Sequence, residues 1–176
     1  MAVLRKIACC SAILLSAILL RGGEKMPELK TVEHVDVDRY MGTWYEIAKY
    51  PASFEKGLVG ITANYTLLLN GKVRVINQGH KKSLDGKLSR AKGKAWLVDK
   101  KSNAKLKVRF FWPFSGNYWI IELGENYQYA VVGEPKRKYL WILSRTPKME
   151  EAVYDGLLEK IKAHGYDPAK LEKTSQ

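Results

Sequence analysis

The sequence predicts an all-β fold: eight antiparallel strands forming an up-and-down barrel or a sandwich, with one α-helix added on the C-terminal side. Three observations carry this. Eight short runs rich in β-branched and aromatic residues follow one another between Thr43 and Arg145. Turn-forming residues separate them, and Asn70-Gly71 is the strongest such pair, because Asn-Gly accepts the positive φ angles of a tight hairpin. Beyond Arg145 the apolar residues change from strand spacing to helix spacing.

The first run, residues 44–50, is stopped by Pro51. The second, 61–69, runs into Asn70-Gly71. The third, 72–79, sets Val73 and Val75 against Lys72 and Arg74. Asp85-Gly86 opens the fourth, 88–98, and residues 100–103 turn the chain again. Within that fourth run Trp96 shares the parity of Lys92 and Lys94, which puts it outside unless a bulge turns it in. The fifth run alternates most clearly. Leu106, Val108, Phe110 and Trp112 take one face, Lys105, Lys107 and Arg109 the other, with Phe111 as the exception. Pro113 ends it. Ser115-Gly116 leads into the sixth run, 118–123, Glu125-Asn126 into the seventh, 127–133, and residues 135–138 into the eighth, 139–145.

The helix follows. Thr146 is placed to cap it and Pro147 to occupy its first position. Val153, Leu157 and Ile161, with Leu158 beside them, form a stripe able to pack on the outside of the strands. Gly165 stands where a left-handed residue would stop the helix. Residues 166–176 are expected to begin ordered and end loose. The organisation is therefore a segment 1–23, a single domain 28–170 and a tail 171–176.

The first segment reads as a targeting signal. Arg5 and Lys6 precede an apolar run over residues 7–20, a length that suits a signal-peptide core better than a membrane span. No A-x-A cleavage pattern follows, and Met26 offers an alternative start. Export to the periplasm or outer membrane, or secretion, is expected. Cys9 and Cys10, the two cysteines of the chain, lie in this segment. No cysteine follows the apolar core to carry a lipid anchor, and the domain has no thiol for a disulfide, a nucleophile or a metal site.

The chain of 176 residues carries a formal charge of +12, with 46% apolar, 27% charged and 11% aromatic residues, ten of them tyrosines. Such a basic surface admits peripheral contact with an anionic membrane. Nucleic acid is not expected, because no aromatic cluster is interleaved with the lysines. A homodimer stays open, with Trp96 as a contact.

Three motifs bear a family resemblance. The stretch Gly42-Thr43-Trp44-Tyr45-Glu46-Ile47-Ala48 opens the first strand, with a glycine for a sharp entry and a large ring to plug one end. Asn126-Tyr127-Gln128-Tyr129-Ala130-Val131-Val132 forms the turn before the seventh, with Asn126 where aspartate is common. Leu140-Trp141-Ile142-Leu143-Ser144-Arg145-Thr146-Pro147 closes the eighth. In this order, with a helix after the third, they resemble the lipocalins, and read most like the bacterial outer-membrane lipoprotein type and apolipoprotein D. The resemblance implies a closed eight-stranded barrel in which Arg145 stacks on Trp44, with Gly42, Trp44, Tyr127 and Arg145 as the structural signature. It also implies a small lipophilic ligand of the fatty-acid or lysophospholipid class.

Parity then sorts the interior. If Arg145 reaches Trp44, then Leu143, Trp141 and Tyr139 face inward with it. Alternation adds Val75, Val108, Phe110 and Trp112, and the resemblance adds Tyr118. The expected ligand-contacting residues are thus Val75, Val108, Phe110, Trp112, Tyr118, Tyr139 and Trp141. A barrel of this size can also fill with its own side chains, leaving a structural or stress-linked envelope protein, and a basic nucleic-acid-binding barrel is the other alternative. No cofactor, metal or catalytic residue is expected. His34, His80 and His164 lie on separate elements, and Ser115-Gly116 lacks the G-x-S-x-G elbow.

Overall fold

The computed structural model describes residues 26–176. The targeting segment read over residues 1–23 lies outside the described residues. A short helix, α1 (Val37–Tyr40), is capped by Asp36, whose carboxylate accepts the Arg39 N–H. Eight strands follow: β1 (Gly42–Lys49), β2 (Leu58–Leu67), β3 (Val73–Lys81), β4 (Leu88–Leu97), β5 (Lys105–Arg109), β6 (Gly116–Leu123), β7 (Tyr129–Gly133) and β8 (Leu140–Ser144). Each pairs antiparallel with the next, and β1 pairs with both β2 and β8, so the sheet closes on itself. The eight-stranded up-and-down barrel is the architecture found, not the sandwich.

Strand alternation produces two apolar layers. Trp44, Val73, Val75, Leu106, Ile120 and Leu143 gather inside the barrel. Ile47, Ile121, Val131 and Ile142 face outward and meet Leu157 and Ile161 of helix α2 (Glu151–Ala163). Burying one such side chain contributes about 1.5–3 kcal/mol, which fixes the helix against the barrel wall. Tyr154 is buried in this seam as well, while Val153 and Leu158 sit at its edges. The seam is thus wider than the aliphatic stripe alone indicates.

The helix stops where expected and starts later than expected. Gly165 has φ +81°, and the N–H groups of Gly165 and Tyr166 donate to the carbonyls of Lys162 and Ile161. This is a Schellman closure. At the other end Thr146 is not the cap. Its hydroxyl donates to the Lys148 carbonyl and its N–H to the Ser144 hydroxyl, which ties it into the turn after β8. Glu150 precedes the first helical residue and makes no side-chain cap.

The tail is not loose. β1 and β2 pair only through Gly42–Tyr45 of β1, after which they diverge. A ninth strand, β9 (Glu172–Lys173), takes the vacated place beside Ala48 and Lys49. The Thr174 N–H donates to Ile47 of β1, and the Gly60 N–H of β2 donates to Ser175. The Gln176 side-chain amide donates to the carbonyls of Glu46 and Ile61 at 2.6 and 2.9 Å. Residues 172–176 therefore complete the wall between β1 and β2.

Candidate functional site

The barrel interior holds a cavity of about 690 Å³. Its walls are mainly apolar residues of β2 to β6 and β8, with Glu46 of β1 and Asn77 of β3 among them, and its two ends differ in chemistry.

The closed end contains all four signature residues. Trp44 is fully buried, at 0% exposure, and its indole N–H donates to the Tyr40 carbonyl at 2.9 Å. The Arg145 guanidinium lies 3.9 Å from the centre of the Trp44 ring. It also donates to the carbonyls of Arg39, Thr43 and Tyr127 at 2.6, 3.0 and 3.3 Å. Gly42 has φ +94°, and a Cβ there would come within 3.3 Å of Arg145, so glycine is required twice over. Tyr127 accepts the Asp36 N–H on its hydroxyl and lies under the Arg39 guanidinium, 4.2 Å from its ring centre.

Above this plug sits a triangle of phenols. The Tyr118 hydroxyl is 2.7 Å from that of Tyr40 and 3.0 Å from that of Tyr65, and all three residues line the cavity. Burial pushes the Tyr65 phenol up to about 12 and holds Tyr40 and Tyr118 well above the ordinary tyrosine range. All three are therefore neutral at physiological pH. They present a hydroxyl floor inside an apolar tube.

A second polar group lies on the wall of β1. Glu46 and Glu55 are only 3% and 7% exposed. Lys49 Nζ stands 2.9 Å from Glu46 and 3.6 Å from Glu55. The Thr174 hydroxyl donates to Glu46 at 2.6 Å, and the Trp141 indole N–H donates to Glu55 at 3.4 Å. Burial first, and the neighbouring Glu46 charge second, raise the Glu55 carboxyl to about 7, against the pull of Lys49. Asn77, also on the cavity wall, has a buried side-chain oxygen with no protein partner.

The open end is aromatic. Phe54, Phe111 and Phe114 line the cavity while remaining largely exposed. From the rim inward, Phe54, Tyr139 and Trp141 follow one another with ring centres 5.9 Å apart, the last two nearly parallel.

Of the residues expected to face inward, Val75, Val108, Phe110, Tyr118, Tyr139 and Trp141 all line the cavity. Trp112 does not, and this corrects the reading. It is 82% exposed, because β5 ends at Arg109 and the alternation that pointed Trp112 inward ends with it. The chain leaves the sheet ahead of Pro113, which has no N–H to give a ladder. Trp96 faces out, with Arg109 at 5.6 Å from its ring, while its neighbours Ala95 and Leu97 line the cavity.

Sequence reasoning missed Tyr40, Tyr65, Glu46, Lys49 and Glu55. For Glu46 the signal existed, since it shares Trp44's parity. For Lys49 it did not. A bulge between Glu46 and Ala48 shifts the register and turns Lys49 inward. The histidines stay apart. His80 is paired with the Gly86 carbonyl, and His164 with Glu122, where it ties the end of α2 to β6.

The arrangement is a one-ended apolar tube with hydroxyls at its floor, a buried ionic cluster on one wall and aromatics at its mouth. It can enclose an elongated apolar guest and offer polar contacts at two depths. The family model described as a lipocalin-like domain matches residues 35–176. Temperature-induced lipocalin-1 of Arabidopsis thaliana is 44% identical over 158 residues, 85% of this chain and 83% of that protein. The outer membrane lipoprotein Blc of Vibrio cholerae is 41% identical over 161 residues, 90% of this chain and 94% of that protein. Among solved structures, insecticyanin from the tobacco hornworm Manduca sexta shares the fold, with a TM-score of 0.69 at 23% identity over 86% of each chain.

Proposed function

Because the chain belongs to the lipocalin-like domain family, whose members bind small hydrophobic molecules, we propose that it carries a single-chain lipid of the fatty-acid or lysophospholipid class in its barrel. One observation carries this reading: the barrel is not filled, and its free volume is walled by apolar side chains. Each methylene moved from water into that volume gains about 0.8 kcal/mol, so an acyl chain supplies the binding energy. The protein acts by binding and release, with no chemical step.

The rim favours delivery at a membrane. Phe111, Trp112 and Phe114 project from the β5–β6 loop beside the exposed Phe54. Exposed lysines flank them in the neighbouring loops, at Lys56, Lys82, Lys87, Lys136 and Lys138. Aromatics suit the headgroup boundary and lysines suit anionic lipid. The likeness to the outer membrane lipoprotein Blc and the apolar run over residues 7–20 favour export, with action at a cell envelope or outside the cell.

Native mass spectrometry on the gently purified protein tests the carrier reading. One fatty acid or lysophospholipid per chain is expected. An empty barrel that also ignores added lipids and apolar dyes overturns it.

A further inference from the structure

Resting on the carrier reading, the wall cluster says more about the head of the ligand than about its tail. We propose that the cavity contains a recognition site for a positively charged nitrogen, formed by Glu55, Glu46, Trp141 and Tyr139, so that the preferred ligand is an amphiphile with an ammonium head.

The first argument is charge. Two carboxylates share one ammonium, Lys49, and both are almost wholly withdrawn from water. With Glu55 ionised, this buried group of two acids and one base is one positive charge short, and a cation placed there takes over the balance that the retained proton otherwise supplies. The groups facing Glu55 are accounted for. Glu46 and Lys49 come from β1, the Trp141 indole N–H from β8, and the neutral Tyr65 phenol from β2. Thr174, from the tail, is committed to Glu46. Two further charged residues line the cavity at the β7–β8 turn. Glu134 accepts backbone N–H groups of that turn, and Lys136 is solvent-exposed and therefore screened. Among the described residues no second base meets the pair.

The second argument is the wall itself. Trp141 and Tyr139 continue the ionic cluster toward the rim, and Phe54 extends them to solvent. Aromatic faces attract ammonium and quaternary ammonium groups, and a carboxylate beside them strengthens the attraction. The exposed Lys138 Nζ also stands 5.6 Å from the centre of the Tyr139 ring and is screened by solvent; the ring faces themselves attract no anionic head.

Three single-chain probes of equal length decide it: dodecyltrimethylammonium, laurate and dodecanol, each titrated calorimetrically below its micelle concentration. At pH 8 the cation is expected to bind about tenfold tighter than laurate, the span of one desolvated cation–π contact. Bringing a cation beside Glu55 must drive off the proton that its raised affinity retains near pH 7. The heat at pH 7 should therefore depend on the ionisation enthalpy of the buffer for the cation and not for dodecanol. In E55Q the preference for the cation over laurate should fall about tenfold and the proton release should vanish, with circular dichroism confirming the fold. Y139L, which leaves the carboxylates in place, should weaken the cation more than dodecanol. Laurate binding as tightly as the cation, or an unchanged preference in E55Q, overturns the ammonium site and leaves the carrier reading standing. Failure of all three probes to bind overturns both.

Discussion

The Arg145 guanidinium covers the Trp44 ring at 3.9 Å and at the same time donates to carbonyls of Arg39, Thr43 and Tyr127. One side chain thus joins α1, β1, the turn before β7 and the end of β8. A lysine can supply the charge but not the planar fork. R145K should lower stability by about 1–3 kcal/mol, the range for losing charged hydrogen bonds to partly buried carbonyls. Urea unfolding measures it, and a midpoint equal to wild type would refute the multiple tether.

Glu55 predicts a pH dependence with an unusual sign for a carboxylate. Its folded-state value is raised to about 7 from an ordinary 4.5. Between these values the folded protein holds a proton that the unfolded chain has released. Stability therefore falls as pH rises through that window, by on the order of 3 kcal/mol in total. E55Q should remove most of that slope. Denaturation midpoints at pH 4.5, 6 and 8 for both proteins test this, and parallel curves would show that Glu55 does not titrate there.

Residues 172–176 predict that a short deletion is costly. It would remove β9 and the hydrogen bonds made by Thr174, Ser175 and Gln176. At about 0.5–1.5 kcal/mol each, the loss is on the order of 3–5 kcal/mol. A large drop in melting temperature is expected, together with faster amide exchange in β1 and β2 near Gly60. Wild-type melting of the shortened protein would mean that the tail merely rests on the wall.

The rim predicts a separation of membrane contact from stability. Replacing Phe111, Trp112 and Phe114 by serine removes three exposed rings that bear on no core. Sedimentation with anionic vesicles should fall about tenfold or more, while the unfolding midpoint moves by less than about 0.5 kcal/mol. Equal sedimentation of both proteins would place membrane contact elsewhere or nowhere.

The strands were most readable where alternation along the run met a turn pair at its end. The third run shows both, with Val73 and Val75 inside and Asn70-Gly71 ahead of it. The helix was readable from Leu157 and Ile161, but not its start, since Thr146-Pro147 serves a turn that imitates a cap. β9 left no signal because Glu172 and Lys173 are exposed and are held in the sheet through their backbones. The interior was readable where it is apolar. It was unreadable at Lys49, because a sequence pattern treats that lysine as a surface residue, and the bulge in β1 reverses that. Trp112 failed in the opposite way, since alternation cannot announce where a strand stops.

The place of β9 in the wall also orders events during synthesis. All eight main strands leave the ribosome before residues 172–176, yet β1 and β2 are bridged near Glu46 and Gly60 only by those residues. Until they dock, the part of β1 beyond Tyr45 and the facing part of β2 are unpaired edges, open to any strand that meets them.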